Sequence, residues 1–420
     1  MRLPPKLPTP AVASSDARIV DTRTYRFLTP VFGGGVHIDP NAPQLKPADP
    51  VTPVRVPSIR GQLRFWWRAC NPRGLTDRHQ LLEQERAIFG GVHDKAKPSS
   101  VLIRVVRQLE APKAFKVLEG KFDSREGLKN LAYGAFPLRD KAGNHGTLHD
   151  YGEQSFSLEL RYPKDIEGDV RAALWAWGHF GALGGRTRRG FGALAHLEGQ
   201  LESLEAGWRT HVRGCAVEWP HLSAKPEVSV RAPLEFDRGL DAQQHLLGLM
   251  RKLRQGENCG RNKGASKTPG RSRWPEPDKI RALTRKSDPR HSKRETEVPK
   301  FPRAAFGLPI IFHFKDKSDP PDTQLLPQGG NRLASRLLLR PHLKGDGKVE
   351  AMAVALEAGK TPKLVLKLNE REFPVPVEAT LVSEEAHSLR PLKTESRTFT
   401  DPVERYLDLV ASTTSKESNR

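Results

Sequence analysis

The sequence is poor in cysteine and has no long apolar run, and both shortages limit what the chain can be. Its three cysteines among 420 residues lie far apart, so they offer neither a disulfide framework nor the spacing of a zinc site. No run of about eighteen apolar residues occurs, which predicts that no helix spans a membrane. The opening stretch 1–20 is rich in proline and lacks an apolar centre, so we expect a disordered leader and not a secretory signal. A cytoplasmic location is therefore expected.

Acidic residues are also few in comparison with basic ones. The chain has 69 Lys and Arg against 49 Asp and Glu, a formal charge of +20. Of this excess, +11 lies in the 53 residues of segment 251–303, which holds 17 basic and 6 acidic residues. Charge concentrated in this way favours a polyanion partner, such as nucleic acid, over a merely solvated surface. The polar composition of the segment also favours folding upon contact with that partner.

Hydrophobic periodicity predicts an α+β fold built from two similar halves. In the first half, the order is strand, helix, strand, strand, helix, strand with one additional helix, at 22–28, 59–71, 77–89, 101–106, 155–161, 169–183 and 191–197. We expect Asp77 to cap the second of these helices and Asp169 the third. This order is typical of a ferredoxin-like (RRM-like) fold, whose open sheet face often binds RNA.

The second half repeats part of this pattern. The expected strands are 228–234, 308–314, 363–368 and 375–382, with a hairpin over 335–356 that turns at Gly345–Gly347. A capping box of Asp241 and Gln244 predicts a helix that ends at Gly256, and a final helix runs from 401 to 410. We therefore expect a leader at 1–20, domains at 21–205 and 206–411, a basic insertion at 251–303 and a disordered tail at 412–420.

The clearest local motif follows the last helix of the first half. It reads Gly184, Gly185, Arg186, Thr187, Arg188, Arg189, Gly190, Phe191, Gly192. Glycine allows the backbone to approach a ligand closely, arginine can hold a phosphate with two hydrogen bonds, and Phe191 could stack on a base. The motif lacks the lysine of a phosphate-binding P-loop and the position of a dinucleotide fingerprint. It predicts contacts to phosphates, against the alternative of a solvated turn.

Two further motifs lie earlier in the chain. Phe32–Gly35 follows the first strand, and its three glycines are either a hinge or a place of close backbone approach. In the first predicted helix, Arg60, Arg64 and Arg68 recur every four residues and form one ridge, which could contact RNA or an acidic neighbour. The tryptophans beside this ridge are expected in the core.

These motifs together resemble the RAMP superfamily, and within it the first subunits of type III-B (Cmr) CRISPR effector complexes. The resemblance rests on segments 27–35, 59–68 and 184–192, with 271–278 and 306–310 in the second half. It implies two ferredoxin-like RAMP domains with long loop insertions. It also implies that the chain is part of a ribonucleoprotein. Its expected partners are a guide CRISPR RNA, complementary target RNA and other Cmr subunits.

What the resemblance implies about the site is binding without catalysis. In such complexes a subunit of this kind sits near the 3′ end of the guide and helps to capture the target. Cleavage is assigned to other subunits, and no motif here matches their catalytic sites, so we expect no catalytic residue, cofactor or metal. The expected RNA-binding residues are the three arginines of the ridge, seven residues of the glycine motif and a second grip made by Arg271 and Arg273. The seven are Gly184, Gly185, Arg186, Thr187, Arg188, Arg189 and Phe191.

Two alternatives remain open from the sequence. His145 and His149, with Tyr151 close by, could serve a metal-independent endoribonuclease, since imidazoles can transfer protons near neutral pH. Ordinary loop histidines are the more common explanation. The chain could also be a protein-binding adaptor, whose arginine ridge meets acidic subunits.

Overall fold

The computed structural model describes residues 18–33, 52–92, 96–116, 129–136, 147–215, 218–226, 230–231, 233–265, 269–359, 361–368, 371–374 and 378–413. The strands within them are β1 Ile19–Phe27, β2 Val31–Phe32, β3 Leu102–Arg107, β4 Lys113–Lys116, β5 Thr147–Asp150, β6 Ser155–Tyr162, β7 Leu194–Glu198, β8 Val230–Arg231, β9 Glu235–Phe236, β10 Ile310–Phe312, β11 Thr323–Pro327, β12 Leu337–Leu343, β13 Val349–Ala355, β14 Leu364–Leu368 and β15 Arg371–Pro374. The helices are α1 Val56–Cys70, α2 Arg78–Phe89, α3 Lys129–Gly134, α4 Glu167–Phe180, α5 Leu204–His211, α6 Gly239–Gln255, α7 Glu276–Thr284, α8 Ser383–Ser388 and α9 Pro402–Ser412. Of the helices in these ranges, none has the length and apolar character that crossing a membrane requires.

The first half forms the predicted ferredoxin-like sheet. Its strands lie in the order β3-β6-β1-β7, and each neighbouring pair is antiparallel. Because α1 lies between β1 and β3, and α4 between β6 and β7, the chain follows the strand-helix-strand-strand-helix-strand path. Burial alternates along β6, since successive side chains of a strand point to opposite faces of the sheet. The prediction of an α+β fold is confirmed.

Helices α1 and α4 cover one face of this sheet with an aromatic core. Leu63, Trp66, Trp67 and Cys70 of α1 are all buried, as their helical spacing predicts. Asp77 accepts a hydrogen bond from the backbone N–H of Gln80 and caps α2, also as predicted.

Asp169 has a different role from the predicted one. The helix α4 begins two residues earlier, at Glu167, and ends at Phe180, so Asp169 is not its cap. The buried carboxylate instead accepts hydrogen bonds from the Trp67 indole at 2.8 Å and from the Arg73 guanidinium at 2.8 and 2.6 Å. Two donors that arrive from outside the helix turn this side chain inward, which the local sequence pattern does not reveal.

The second half forms a related sheet in the order β12-β13-β8, with β9 also paired to β13. The predicted hairpin is confirmed, because β12 and β13 pair from Leu337↔Ala355 to Leu343↔Val349. Helix α6 comes between β9 and β12 in the chain and packs on the hairpin. This path matches the first three strands of a ferredoxin-like fold. The described residues contain no fourth strand of this sheet.

Helix α6 starts earlier than the sequence predicts. It begins at Gly239 with Arg238 at its N-cap, and Asp241 forms an ion pair with Arg238 at 2.8 Å. The predicted capping box of Asp241 and Gln244 is therefore wrong. Gly256 ends the helix, as predicted.

Strands β10, β11, β14 and β15 form a separate antiparallel sheet in the order β10-β11-β14-β15. The strands predicted at 308–314 and 363–368 lie here. The strand predicted at 375–382 is wrong: β15 occupies Arg371–Pro374, residues 378–382 are not a strand, and 375–377 lie outside the described residues. Pro374 has no backbone N–H to donate, which limits the ladder at this point.

The basic segment 251–303 is folded where the structure describes it, contrary to what its composition favours. It contains the end of α6, a turn and α7, and its Trp274 side chain is fully buried. The buried carboxylate of Glu276 accepts hydrogen bonds from the backbone N–H of Arg303 at 2.8 Å and from its Nε at 3.0 Å. Buried aromatic surface and a buried ion pair anchor a segment that looks polar by composition.

A buried arginine of the second half bonds to the backbone of the first half. Arg340 of β12 is fully buried and donates hydrogen bonds to the carbonyls of Gly178, His179 and Leu194 at 3.1, 2.7 and 2.6 Å. Burial lowers the pKa of Arg340 to about 9, so the side chain stays protonated at neutral pH. Apolar side chains of β12 and β13 also pack into the core of the first half. The boundary at residue 205 remains a prediction.

Candidate nucleic-acid interface

The glycine loop, residues 184–192, leaves α4 in a conformation that needs glycine. Gly184, Gly190 and Gly192 have φ angles of 90°, 79° and 62°, and Arg186 also adopts the left-handed region at 53°. A Cβ atom on Gly192 would lie 1.9 Å from the carbonyl oxygen of Leu183, too close for any other residue. Thr187–Arg189 form a single 3-10 turn. The loop therefore has a defined shape and is not a floppy linker.

This loop lies directly against the first glycine motif. The backbone N–H of Gly185 donates to the carbonyl of Phe32 at 2.7 Å, and that of Gly192 donates to Pro30 at 2.9 Å. A Cβ on Gly184 would meet Val31 Cγ1 at 2.8 Å. The close-approach interpretation of Phe32–Gly35 therefore fits at Phe32, whereas Gly34 and Gly35 lie outside the described residues.

Side chains of the loop also reach the third motif. The Arg188 guanidinium lies 5.5 Å from the centre of the Phe65 ring in α1, and that of Arg186 lies 6.0 Å from the Phe32 ring. Cations over aromatic faces are attracted by the ring quadrupole. The structure thus brings together three motifs that are more than a hundred residues apart at their extremes.

The three loop arginines keep much of their hydrogen-bonding capacity unused. Arg186 donates to the carbonyl of Gly134 at 2.9 Å, and Arg189 donates to that of Phe306 at 2.9 Å. The Nη1 atoms of Arg188 and Arg189 are buried without a hydrogen-bond partner among the described residues. Such donors cost free energy unless a ligand or water satisfies them.

Burial and mutual repulsion shape the charge of the loop. The pKa of Arg186, Arg188 and Arg189 is lowered to about 10 in each case, chiefly by burial and secondarily by neighbouring guanidinium groups. All three remain protonated at neutral pH. No ion pair joins them to a carboxylate in the described part of the chain, so the loop carries a local excess of positive charge suited to an anion.

Phe191 corrects the sequence interpretation. Its ring is fully buried and meets the Phe32 ring edge to face, with centroids 5.9 Å apart. A phenylalanine between two glycines looks exposed in the sequence, but here it anchors the loop in the core. It offers no free face on which a base could stack.

The arginine ridge of α1 divides into two kinds of side chain. Arg64 and Arg68 both bond to the carboxylate of Glu85 in α2, which is 1% exposed. Arg68 also lies over the Trp219 ring at 4.9 Å. Their acidic neighbour is therefore within the chain. Arg60 is half-buried and has no ion pair with any described residue, and its Nε is buried without a partner.

The predicted second grip is also used internally. Arg271 donates to the carboxylate of Asp278 at 2.9 Å and to the carbonyl of Lys293. Arg273 donates to Asn262 Oδ1 and to the carbonyl of Asn258, both at 2.6 Å. These bonds hold the basic segment together. The role of the two arginines as RNA ligands therefore has no direct support in the geometry.

The residues of the ribonuclease alternative do not form a visible pair. His145 lies outside the described residues, and His149 is buried in β5 opposite Val31. Tyr151 is buried against the Phe27 ring, with centroids 5.4 Å apart. A buried histidine is poorly placed to meet an RNA strand.

One group of described residues has metal-ligating side chains close together: His291, Asp316 and Asp319. Both carboxylates are already bonded to guanidinium groups. Asp319 accepts from Arg281 at 2.9 and 2.8 Å, and Asp316 accepts from Arg290. A metal ion would have to displace these bonds, so the group is better explained as an ion-pair network.

Residues from the second half complete the surroundings of the loop. Arg254 at the end of α6 and Arg332 contribute to lowering the pKa of Arg186, and Arg254 also acts on Arg189. Sequence reasoning missed both, since an arginine near a helix end or in a loop is ordinary. The packing of α6 against α3 reveals the proximity of Arg254.

The first half of the chain is similar in sequence to known proteins. Residues 24–195 match the model described as "RAMP superfamily". The protein "CRISPR system Cmr subunit Cmr1-1" of Pyrococcus furiosus is 30% identical over 156 residues, which cover 36% of this chain and 43% of that protein. The chain thus matches less than half the length of this curated relative. Segments 27–35, 59–68 and 184–192 lie within the matched residues, so the resemblance to the RAMP superfamily is confirmed there. Segments 271–278 and 306–310 lie outside the match.

Solved structures resemble this chain at low sequence identity. The crystal structure of apo Cmr1 from Pyrococcus furiosus has a TM-score of 0.43 and 17% identity, covering 82% of this chain and 90% of that one. A chain of the cryo-EM structure of Type III-B Cmr-beta bound to cognate target RNA has a TM-score of 0.44 and 10% identity, covering 94% and 100%. The fold assignment itself rests on the sheet order given above.

Proposed function

We propose that this chain, whose residues 24–195 match the RAMP superfamily, is a non-catalytic RNA-binding subunit of a type III-B (Cmr) CRISPR effector complex. Its partners are a guide CRISPR RNA, the complementary target RNA and other Cmr subunits. It lies near the 3′ end of the guide and helps to capture the target there. The known role named for the Pyrococcus furiosus relative, a Cmr subunit, supports this assignment.

One observation carries the proposal. The glycine loop joins the Phe32 and Phe65 motifs and presents three protonated arginines that have no carboxylate partner in the described ranges. Three neighbouring arginines, in a loop whose glycines let a ligand come close to the backbone, fit phosphate best. A guanidinium can bond two phosphate oxygens at once. Arg186 is exposed, and Arg188 and Arg189 are half-buried. Arg186 therefore forms the outer part of the binding site.

Binding without catalysis is favoured by the state of the titratable groups near the loop. The described histidine of the ribonuclease alternative is buried, and the loop itself holds arginines whose pKa is far above neutral. Groups of that kind stabilise phosphate charge but exchange protons poorly at pH 7. The loop is therefore suited to holding RNA.

The test compares two triple variants that remove the same charge. Arg186, Arg188 and Arg189 are replaced by alanine in one, and Arg209, Arg238 and Arg290 in the other. The control side chains are 75%, 71% and 72% exposed, and each pairs with a carboxylate near it in the sequence. The loop variant should weaken binding of single-stranded RNA of any sequence, and the log–log salt slope should fall by about two units, at about 0.7 per phosphate contact. The control should change both values little.

A single variant protects the test against misfolding. Arg186 and Arg189 also bond backbone carbonyls, whereas Arg188 only packs over Phe65 in the described structure. Arg188→Ala should thus keep the thermal unfolding midpoint and lower the salt slope by about 0.7. Loop variants that bind RNA with the affinity and salt slope of the parent protein would remove the loop from the interface.

A further inference from the structure

Four arginines from separate segments gather behind the glycine loop. Arg186 and Arg189 belong to the loop, Arg254 lies in the last turn of α6, and Arg303 is the last residue of the basic segment. With Tyr133 of α3 they form what we call the interdomain arginine cluster. It joins residues of the first half to residues of the second.

Hydrogen bonds place Arg186, Arg189 and Arg254 around two short backbone stretches, 133–134 and 306. Arg254 Nη1 donates to Tyr133 Oη at 3.0 Å, and Arg186 Nη1 donates to the next residue's carbonyl, that of Gly134, at 2.9 Å. Arg189 Nη2 donates to the carbonyl of Phe306 at 2.9 Å, and the Arg254 guanidinium lies 6.0 Å from the Phe306 ring centre. The arrangement is therefore built by specific contacts and is not a chance meeting of mobile side chains.

Several donors of the cluster are left over. Arg189 Nη1, Arg254 Nε and Arg303 Nη2 are buried and have no hydrogen-bond partner among the described residues. Arg303 is 8% exposed overall. Glu276, bonded to Arg303 at 3.0 Å, is the one carboxylate in the described ranges that pairs with a member of the cluster. Four cations thus face one anion, which leaves an uncompensated charge in a partly buried place.

The electrostatic consequences agree with this geometry. The pKa of Arg189 is lowered to about 10, first by burial and then by Arg254, and the pKa of Arg303 is lowered by burial with a further contribution from Arg254. The exposed Arg332 adds to the positive potential at Arg186. All of these groups stay charged at neutral pH and repel one another, so an anion that bridges them would relieve a standing repulsion.

We infer that the interdomain arginine cluster binds one phosphate group, with Arg254 and Arg189 as its principal ligands. This rests on the proposed function, since a phosphodiester of the RNA strand that crosses the glycine loop is the source expected. Phosphate suits the site because its tetrahedral oxygens can accept from several forked donors at once, whereas a carboxylate satisfies fewer. Binding would tie the first half to the second through a shared ligand.

The main test uses Arg254→Gln, which removes the charge and keeps much of the side-chain length. Its matched control is Lys252→Gln, an exposed cation two residues away in the same helix. With a single-stranded RNA oligomer, Arg254→Gln should weaken binding about tenfold and lower the salt slope by about 0.7, and the control should do neither. A methylphosphonate scan of the oligomer should find one linkage whose neutralisation weakens the parent protein but not Arg254→Gln.

A second variant guards against loss of the fold. Tyr133→Phe deletes one hydroxyl that orients Arg254 and leaves every charge in place. It should weaken RNA binding by a few fold with an unchanged salt slope. The phosphate could come from RNA or from a free phosphate compound, and the thermal unfolding midpoint measured with and without inorganic pyrophosphate tells the two apart. Stabilisation that Arg254→Gln abolishes, with RNA binding unaltered, would assign the cluster to a free phosphate compound.

The outcomes distinguish this inference from the proposed function. If Arg254→Gln and Tyr133→Phe leave both RNA binding and pyrophosphate stabilisation unchanged, the cluster is not a phosphate site, while the loop variants can still show RNA binding. If the loop variants bind RNA normally, the proposed interface fails, whatever the result at Arg254.

Discussion

The arginines of the glycine loop and those of the α1 ridge look alike in the sequence and differ in the fold. Arg64 and Arg68 share the buried carboxylate of Glu85, whereas Arg186 and Arg188 have no carboxylate partner in the described part of the chain. The first pair holds α1 to α2. The second pair is available to a ligand. The comparison teaches that the partner of a cation, and not its presence in a motif, decides whether it can bind RNA.

The largest effect should come from removing the acid that distinguishes the ridge. Glu85→Gln leaves Arg64 and Arg68 without their counter-ion in a mostly buried place. We expect a loss of about 4 kcal/mol in the free energy of unfolding, because a broken buried ion pair leaves an uncompensated charge. Urea unfolding measures it. RNA affinity per folded molecule should stay as in the parent protein. A variant with unchanged stability and altered RNA binding would contradict the assignment of Arg64 and Arg68 to the fold and of the loop arginines to RNA.

A smaller effect should follow from adding one methyl group to the loop. Gly192→Ala forces a Cβ to within 1.9 Å of the Leu183 carbonyl at a φ of 62°. We expect a loss of about 3 kcal/mol and weaker RNA binding, since the loop must change shape. Gly61→Ala in α1 is the control, as nothing lies within 4 Å of its new Cβ. That variant should gain up to about 1 kcal/mol from helix propensity.

Lowering the pH should decrease the free energy of unfolding and leave the affinity for RNA unchanged. Burial, aided by the charge of His342, lowers the pKa of His179 to about 3, below its unfolded value of about 6.5. The unfolded chain therefore binds the proton first, so stability is complete above pH 6.5 and falls as the pH decreases towards 3. At pH 5.5 His179 alone should account for a loss of about 1 kcal/mol relative to pH 8. Burial also lowers the pKa of His196, to about 4, which adds a loss in the same direction, so the contribution of His179 is measured as the difference in urea unfolding between the parent protein and His179→Gln.

RNA binding should not follow that titration. The loop arginines have a pKa of about 10, so their charge is constant between pH 5.5 and pH 8. Affinity measured by fluorescence anisotropy should be flat over this interval. A midpoint near pH 6.5 would instead place a histidine at the interface and favour the ribonuclease alternative.

The smallest effect concerns the ridge arginine that does not pair with Glu85. Arg60→Ala should weaken RNA binding by about threefold to fivefold and leave the unfolding free energy within about 0.5 kcal/mol, as for a partly exposed side chain without an ion pair. Arg64→Ala provides the contrast, since it should affect stability more than binding. Equal behaviour of the two variants would erase the distinction within the ridge.

Much of the secondary structure could be predicted because periodicity is local. The spacing of Leu63, Trp66 and Trp67 gives α1 its buried face, and the Gly345–Gly347 turn defines the β12-β13 hairpin. The strand and helix order then leads to the ferredoxin-like sheet of the first half. The predictions that failed concern residues whose role is decided by contacts with distant parts of the chain. Asp169 bonds to Trp67 and Arg73 and does not cap α4, and the buried Trp274 anchors a segment whose composition is polar.

The candidate site was foreseen as a set of motifs but not as an arrangement. Glycines and arginines mark 184–192 because their backbone and charge are unusual in any sequence. The burial of Phe191 and the pairing of Arg68 with Glu85 are decided by tertiary packing, which one sequence does not display. Arg254 is the clearest omission, since its relevance arises only when α6 lies against α3. The assignments to RNA stay predictions.

Arg340 has a consequence for the approach of any polyanion. An α-helix concentrates partial negative charge on its last carbonyls, and α4 ends at Phe180, four residues before the glycine loop. Without a cation there, that end would repel phosphates from the loop that is proposed to bind them. A guanidinium from β12 covers it with a full positive charge. A truncated protein that ends after the first half would keep every residue of the glycine loop. It would lack Arg340, so the C-terminal end of α4 beside the loop would partly repel phosphates.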